Sequence, residues 1–180
     1  MYRFQCDYTE GAHESILKRL TETNYEQTIG YGCDDYCEEA RNTIRRVFGV
    51  PDAGVHFLVG GTQANATVIA AALKPYQGVI CASTGHIFVH ETGAIEATSH
   101  KVLAMPTSMG KITAAQVSHY CRAHYANSDR EHEVQPGMVY ISLPTELGTL
   151  YTKAELEALY QVCEEFHMYL FVDGARLGYG

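Results

Sequence analysis

Positive charge is scarce in this chain and nowhere concentrated. Thirteen Lys and Arg face twenty-one Asp and Glu, the formal net charge is -8, and no cationic cluster exceeds a pair such as Arg45-Arg46. Nothing here would neutralise a run of phosphates, which excludes nucleic acid as a partner. No stretch approaches the roughly 18 consecutive apolar residues of a membrane span. The first residues (Met1, Tyr2, Arg3, Phe4, Gln5) also lack the apolar core of a signal peptide, so neither a membrane nor export is expected and the address is cytoplasmic. The six cysteines form no dense framework and no C-x-x-C pair; Cys33 and Cys37 stand four apart without a second pair to complete a zinc site. Reduced thiols and no metal are expected. Low-complexity tracts are missing too, and 46% hydrophobic with 19% charged residues is a globular composition.

What is present is an alternation of helix and strand signals. From Asp34 the string D-D-Y-C-E-E-A-R-N-T-I-R-R-V-F-G-V-P puts Tyr36, Ala40, Ile44 and Val47 on one stripe, with acids early and arginines late. That predicts a helix closed by Gly49 and Pro51. Val55 to Val59 reads as a short strand entering Gly60-Gly61, and a helix follows from Thr62 to the break at Pro75. Further strands are expected at Val79 to Ala82, Lys101 to Ala104, Met138 to Leu143 and Tyr169 to Val172. Thr113-x-x-Gln116 and Thr152-x-x-Glu155 are capping boxes that open two more helices. The polar segment Asn127 to Gln135 reads as a surface loop. Alternating β and α elements predict an open α/β sheet.

Three strand ends carry candidate chemistry. At V-G-G-T-Q-A-N the glycines let the backbone approach a ligand where a helix begins, and free N–H groups with the helix dipole make an anion cradle; a tight turn with Thr62 as N-cap reads the residues equally well. The string is neither G-x-G-x-x-G nor a Walker A loop, so a nucleotide fold gains little support. Asp173 in F-V-D-G-A-R directly follows an apolar strand, where ligands of open α/β sheets collect, although it can also pair with Arg176. His86 in T-G-H-I-F-V-H-E-T-G-A follows another strand, as a ligand or as a satisfied loop histidine.

Taken together, G-G-T-Q-A-N, H-I-F-V-H-E-T-G-A and V-D-G-A-R occur in the order and approximate spacing of the threonine aldolase and aromatic amino acid β-eliminating lyase family, which the chain resembles over nearly its whole length. The flanking strings F-Q-C-D-Y-T-E-G-A-H, Y-G-C-D-D and P-T-E-L-G-T-L-Y agree. The resemblance implies the fold type I, aspartate-aminotransferase-like large domain of pyridoxal 5'-phosphate (PLP) enzymes, a mostly parallel sheet with helices on both faces. It implies that Gly61 and Thr62 hold the cofactor phosphate, that His86 stacks on the pyridine ring, and that Asp173 pairs with the ring nitrogen. Arg176 would grip the substrate carboxylate, a task suited to a planar bidentate donor. The implied reaction cleaves a β-hydroxy-α-amino acid of the L-threonine type to glycine and an aldehyde, in a homo-oligomer.

Two positions depart from the family pattern. Cys6 stands where many members carry a serine near the substrate carboxylate, and Glu146 stands where some have a histidine proposed as base. None of Lys18, Lys74, Lys101, Lys111 and Lys153 matches the family's cofactor-bonding lysine, which lies beyond D-G-A-R. By this resemblance, residues 1–180 comprise the N-terminal segment and most of the large domain, without the small C-terminal domain. A β-eliminating lyase of the same fold, or a non-catalytic fragment without the Schiff-base lysine, are the alternatives.

Overall fold

The computed structural model describes residues 6–178 and residue 180. The reading of Met1 to Gln5 lies outside them. The chain divides into two compact units, Met1–Phe57 and Leu58–Gly180.

The first unit carries two helices, α1 (Glu14–Thr23) and α2 (Asp35–Phe48). The second has the ends the sequence announced. The Asp34 carboxylate accepts the Cys37 N–H; hydrogen bonding from the Cys37 thiol, and secondarily from that N–H, holds its carboxyl below the usual carboxylate range, and Arg45 and Arg46 occupy the last turn. Gly49 then adopts φ +65°, and its N–H donates back to the carbonyls of Arg45 and Arg46. A left-handed residue at this position stops the helix, and glycine takes it without the steric penalty of a Cβ. Helix α1 was not foreseen; its cap is His13, whose Nδ1 accepts the Ser15 N–H. Neither helix contains a buried residue.

The second unit is a parallel sheet covered on both faces. Its elements are α3 (Gly61–Ala72), β1 (Gln77–Ala82), α4 (His86–Val89), β2 (Val102–Met105), α5 (Ala114–Ala126), β3 (Gln135–Ser142), α6 (Lys153–Glu165) and β4 (Tyr169–Asp173). The strands lie in the order β2-β1-β3-β4, all parallel. Alternating side chains serve opposite faces. Ile80, Ala82, Val139 and Ile141 pack with Val117 and Cys121 of α5 and with Leu159, Val162 and Cys163 of α6. Val79, Cys81, Met138 and Tyr140 pack with Ile69 of α3 and its C-cap Leu73, and with Ile87 and Ile95. Burial on both sides explains why the central strands read as continuous apolar runs instead of alternating ones. Both expected capping boxes form.

Some expectations fail for identifiable reasons. Val55 to Val59 forms no strand, because a strand needs a ladder partner and none pairs with these residues among those described. The helix expected from Thr62 starts at Gly61, with Gly60 as its N-cap. Strand β3 begins at Gln135, earlier than expected, since Pro136-Gly137 looks like a turn but sits at a strand start, where proline is tolerated. The loop before it holds a 3-10 turn at Arg130–His132. No helix among the described residues is long and apolar enough to cross a membrane.

Candidate active site

From β1 the chain passes to β2 at one side, then returns past β1 to β3 and β4 on the other. The crevice at such a reversal, outside the carboxyl ends of the strands, is where open α/β sheets take ligands. Asp173 is the last residue of β4, His86 opens α4 just after β1, and Ser142 ends β3. All three therefore belong to the carboxyl edge. Gly85 makes the turn from β1 possible, because a Cβ there would meet the Ala82 carbonyl oxygen at 3.0 Å.

Asp173 is held by three donors. Oδ2 accepts from the Tyr140 hydroxyl at 2.6 Å and from Asn65 Nδ2 at 3.1 Å, and Oδ1 accepts from the Ala175 N–H at 3.2 Å. Burial, and secondarily the bond to Asp173, pushes the Tyr140 hydroxyl far above its ordinary range, so it stays a donor. The same Asn65 nitrogen donates to Glu91 Oε1 at 2.7 Å, and that oxygen also meets His86 Nδ1 at 2.8 Å. Glu91 is fully buried in its side chain, whereas the His86 side chain is 42% exposed. The other Glu91 oxygen, Oε2, is buried without a partner among the described residues.

His86, Glu91 and Asp173 offer ligand atoms that all lie within 4.8 Å of one another, a spacing compatible with a metal ion. Asn65 already directs amide hydrogens at both carboxylates, and a cation would have to displace them. The donor set fits an organic ligand better than a metal.

Glu146 joins the strand ends in a different way. Its Oε1 accepts the backbone N–H of His86 at 2.8 Å and the Ser142 hydroxyl. It braces the start of α4 against the end of β3. Thr62 and Gly61 are exposed in the first turn of α3, one turn before Asn65 and on its side of the helix. No side chain caps α3, and a Cβ built on Gly60 or Gly61 meets nothing within 4 Å. That leaves the first-turn N–H groups without a side-chain acceptor among the described residues, the arrangement an anion needs. Arg176 lies exposed three residues beyond Asp173. Cys6 belongs to the first unit and is half-buried. The thiols within the sheet region are poor nucleophiles; burial pushes Cys81 and Cys163 up to about 12.

Of the residues singled out in the sequence, His86, Asp173 and Glu146 meet through this polar network, and Gly61 and Thr62 join it through the helix that carries Asn65. Asn65, Glu91, Tyr140 and Ser142 were not singled out. Asn65 and Glu91 stood inside quoted motifs, but a buried amide or acid has no sequence signal apart from its partners. Tyr140 passed as one more apolar residue of a buried strand.

This architecture is that of the fold type I PLP enzymes. A PLP-bound C-S lyase from Staphylococcus hominis superposes with a TM-score of 0.61 at 15% identity over 90% of this chain and 41% of its own, a likeness of fold alone. The chain belongs to the beta-eliminating lyase family, whose model matches residues 4–178. The low specificity L-threonine aldolase of Pseudomonas aeruginosa is 32% identical over 97% of this chain and 49% of its own length. The threonine aldolase structure from Leishmania major matches at 46% identity with a TM-score of 0.89, over 94% of this chain and 48% of that one. The chain thus spans about half the length of the relatives it matches.

Proposed function

We propose that this chain supplies the cofactor-binding part of a PLP-dependent lyase that cleaves a β-hydroxy-α-amino acid, of the L-threonine type, to glycine and an aldehyde. The observation that carries the reading is the meeting of Asp173 and His86 at the reversal of strand order, beside a helix N-terminus that no side chain caps. The aldolase relatives point the same way.

In this reading Gly61 and Thr62 hold the cofactor phosphate, His86 stacks on the ring, and Asp173 receives the ring N–H. When bound, PLP supplies an electron sink for charge that develops at the substrate Cα. Asp173 is suited to hold a proton on the ring nitrogen, since three donors fix the plane of its carboxylate. Arg176 binds the substrate carboxylate. Glu146 keeps the substrate-side role expected of it, but with two donors on Oε1 it serves first to orient α4. Homo-oligomeric assembly is part of the proposal, supported by the exposure of Tyr25, Ile29 and Tyr31 in the first unit. A reducing, cytoplasmic setting agrees with six free cysteines.

Two measurements on the full-length protein test the reading. L-Threonine should yield glycine and acetaldehyde, and Asp173→Asn should lower turnover on the order of 100-fold while cofactor affinity changes far less. Release of ammonia and pyruvate from serine or cysteine, without glycine from threonine, would favour a β-eliminating lyase. Equal losses in turnover and affinity would make Asp173 a structural acid.

A further inference from the structure

We propose that Glu91 and Asn65 are positioning residues, forming with His86 and Asp173 one hydrogen-bonded chain that places the proton of His86 on Nδ1 and fixes its ring relative to the Asp173 carboxylate. The part of this proposal that concerns the cofactor rests on the PLP reading above.

The argument begins with Asn65. An amide nitrogen carries two hydrogens, and here its two partners are carboxylate oxygens from the loop after α4 and the end of β4, Glu91 Oε1 at 2.7 Å and Asp173 Oδ2 at 3.1 Å. Both donors are thereby used. Two carboxylates drawn this close repel, and an amide between them is the neutral group that satisfies both. Asn65 is 3% exposed, so bulk water does not compete for these two bonds.

Glu91 is the unusual member. Its side chain is wholly out of water, and Oε2 meets no donor among the described residues. A buried acid with one oxygen unsatisfied is unfavourable compared with an apolar residue of similar size, so packing alone does not account for it. What it offers is an acceptor, because Oε1 receives Asn65 and faces His86 Nδ1. A carboxylate oxygen accepts and does not donate, which assigns the proton of a neutral imidazole to Nδ1 and leaves Nε2 as the acceptor nitrogen.

On the other side of Asn65, the Tyr140 hydroxyl completes the restraint on Asp173. His86 is thus linked to Asp173 through two buried side chains, Glu91 on the His86 side and Asn65 on the Asp173 side. Losing either one lets the ring and the carboxylate move independently, although neither Asn65 nor Glu91 needs to touch a substrate.

The test uses the full-length protein labelled with 15N-histidine, with the His86 signals identified by their loss in His86→Gln. Solid-state 15N spectra at mildly alkaline pH distinguish a protonated Nδ1 from a protonated Nε2. The wild type should show Nδ1–H, Glu91→Gln should retain it because the side-chain carbonyl still accepts, and Glu91→Leu should turn His86 to Nε2–H. In parallel, binding of pyridoxine 5'-phosphate, which has no aldehyde to bond a lysine, should weaken about tenfold in Asn65→Leu and more in Asn65→Asp. Thermal melts identify any variant that is simply unfolded, and Glu91→Gln provides the rescued control. An Nε2–H tautomer in the wild type overturns the proposal, as do folded Asn65→Leu and Glu91→Leu proteins that bind the analogue as tightly as the wild type. A wild-type protein that ignores pyridoxine 5'-phosphate overturns the PLP reading instead, and the tautomer spectra then decide the hydrogen-bonded chain without it.

Discussion

Helix α2 of the first unit and helix α3 of the second are delimited by different means. In the first, α2 has a side-chain N-cap, acids at its start, arginines at its end and a left-handed glycine stop, yet it buries no residue. In the second, α3 has no side-chain cap, but Ile69 and Leu73 lie in the core. Local hydrogen bonds and charges delimit the one, and burial against a sheet holds the other. A helix that relies on burial can leave its N-terminal N–H groups uncapped, which is what an anion site requires. The comparison therefore bears on function as well as on stability.

Substitutions can break or sharpen this contrast. The largest effect is expected from Ile80→Ala, which opens a cavity beneath α5 and α6 at a residue with no exposed surface, and should destabilise the second unit by about 2–5 kcal/mol. Chemical denaturation measures it. A loss below 1 kcal/mol would mean that burial does not dominate there.

Gly49→Ala comes next. A Cβ at Gly49 meets nothing within 4 Å, so only the φ of +65° opposes it, and the expected cost is about 1 kcal/mol. Hydrogen exchange should show the loss at the last turn of α2, in the amides of Gly49 and Val50, with little change in β1 or β3. Equal acceleration in the sheet would contradict the view that this stop is local.

The smallest effect belongs to Glu155→Gln, a surface change within the well-buried unit. The hydrogen bond from Lys111, with those from the Thr152 cap, lowers Glu155 from 4.5 to about 2. A depressed carboxyl contributes stability above its unfolded value, and that contribution is lost as pH falls through the folded one. The gap between wild type and variant should therefore be full above pH 4.5 and close as pH falls toward 2. A gap that stays constant across that window would show that the Lys111 bond does not set the shift.

Much of the framework was legible because its signals are short-range. The caps at Asp34, Thr113 and Thr152 lie within a few residues of the N–H groups they satisfy, and the helices α2, α5 and α6 begin where those caps place them. Strands β1 to β4 show as apolar runs, and the motifs after β1 and β4 mark His86 and Asp173. Val55 to Val59 has the same local character and makes no strand, since a ladder is a property of two segments.

The sequence by itself determined helices α2, α3, α5 and α6, most of the strand positions and the strand-end residues, because a cap, a period or a turn depends on neighbours along the chain. Only the tertiary structure decided the strand order β2-β1-β3-β4, the bracing role of Glu146 and the chain from His86 through Glu91 and Asn65 to Asp173. Asn65 and Asp173 are separated by 108 positions. No local pattern ties an amide to an acid at that distance. Their hydrogen bond exists because α3 covers one face of a sheet whose last strand ends beside it, out of water that would otherwise satisfy them both.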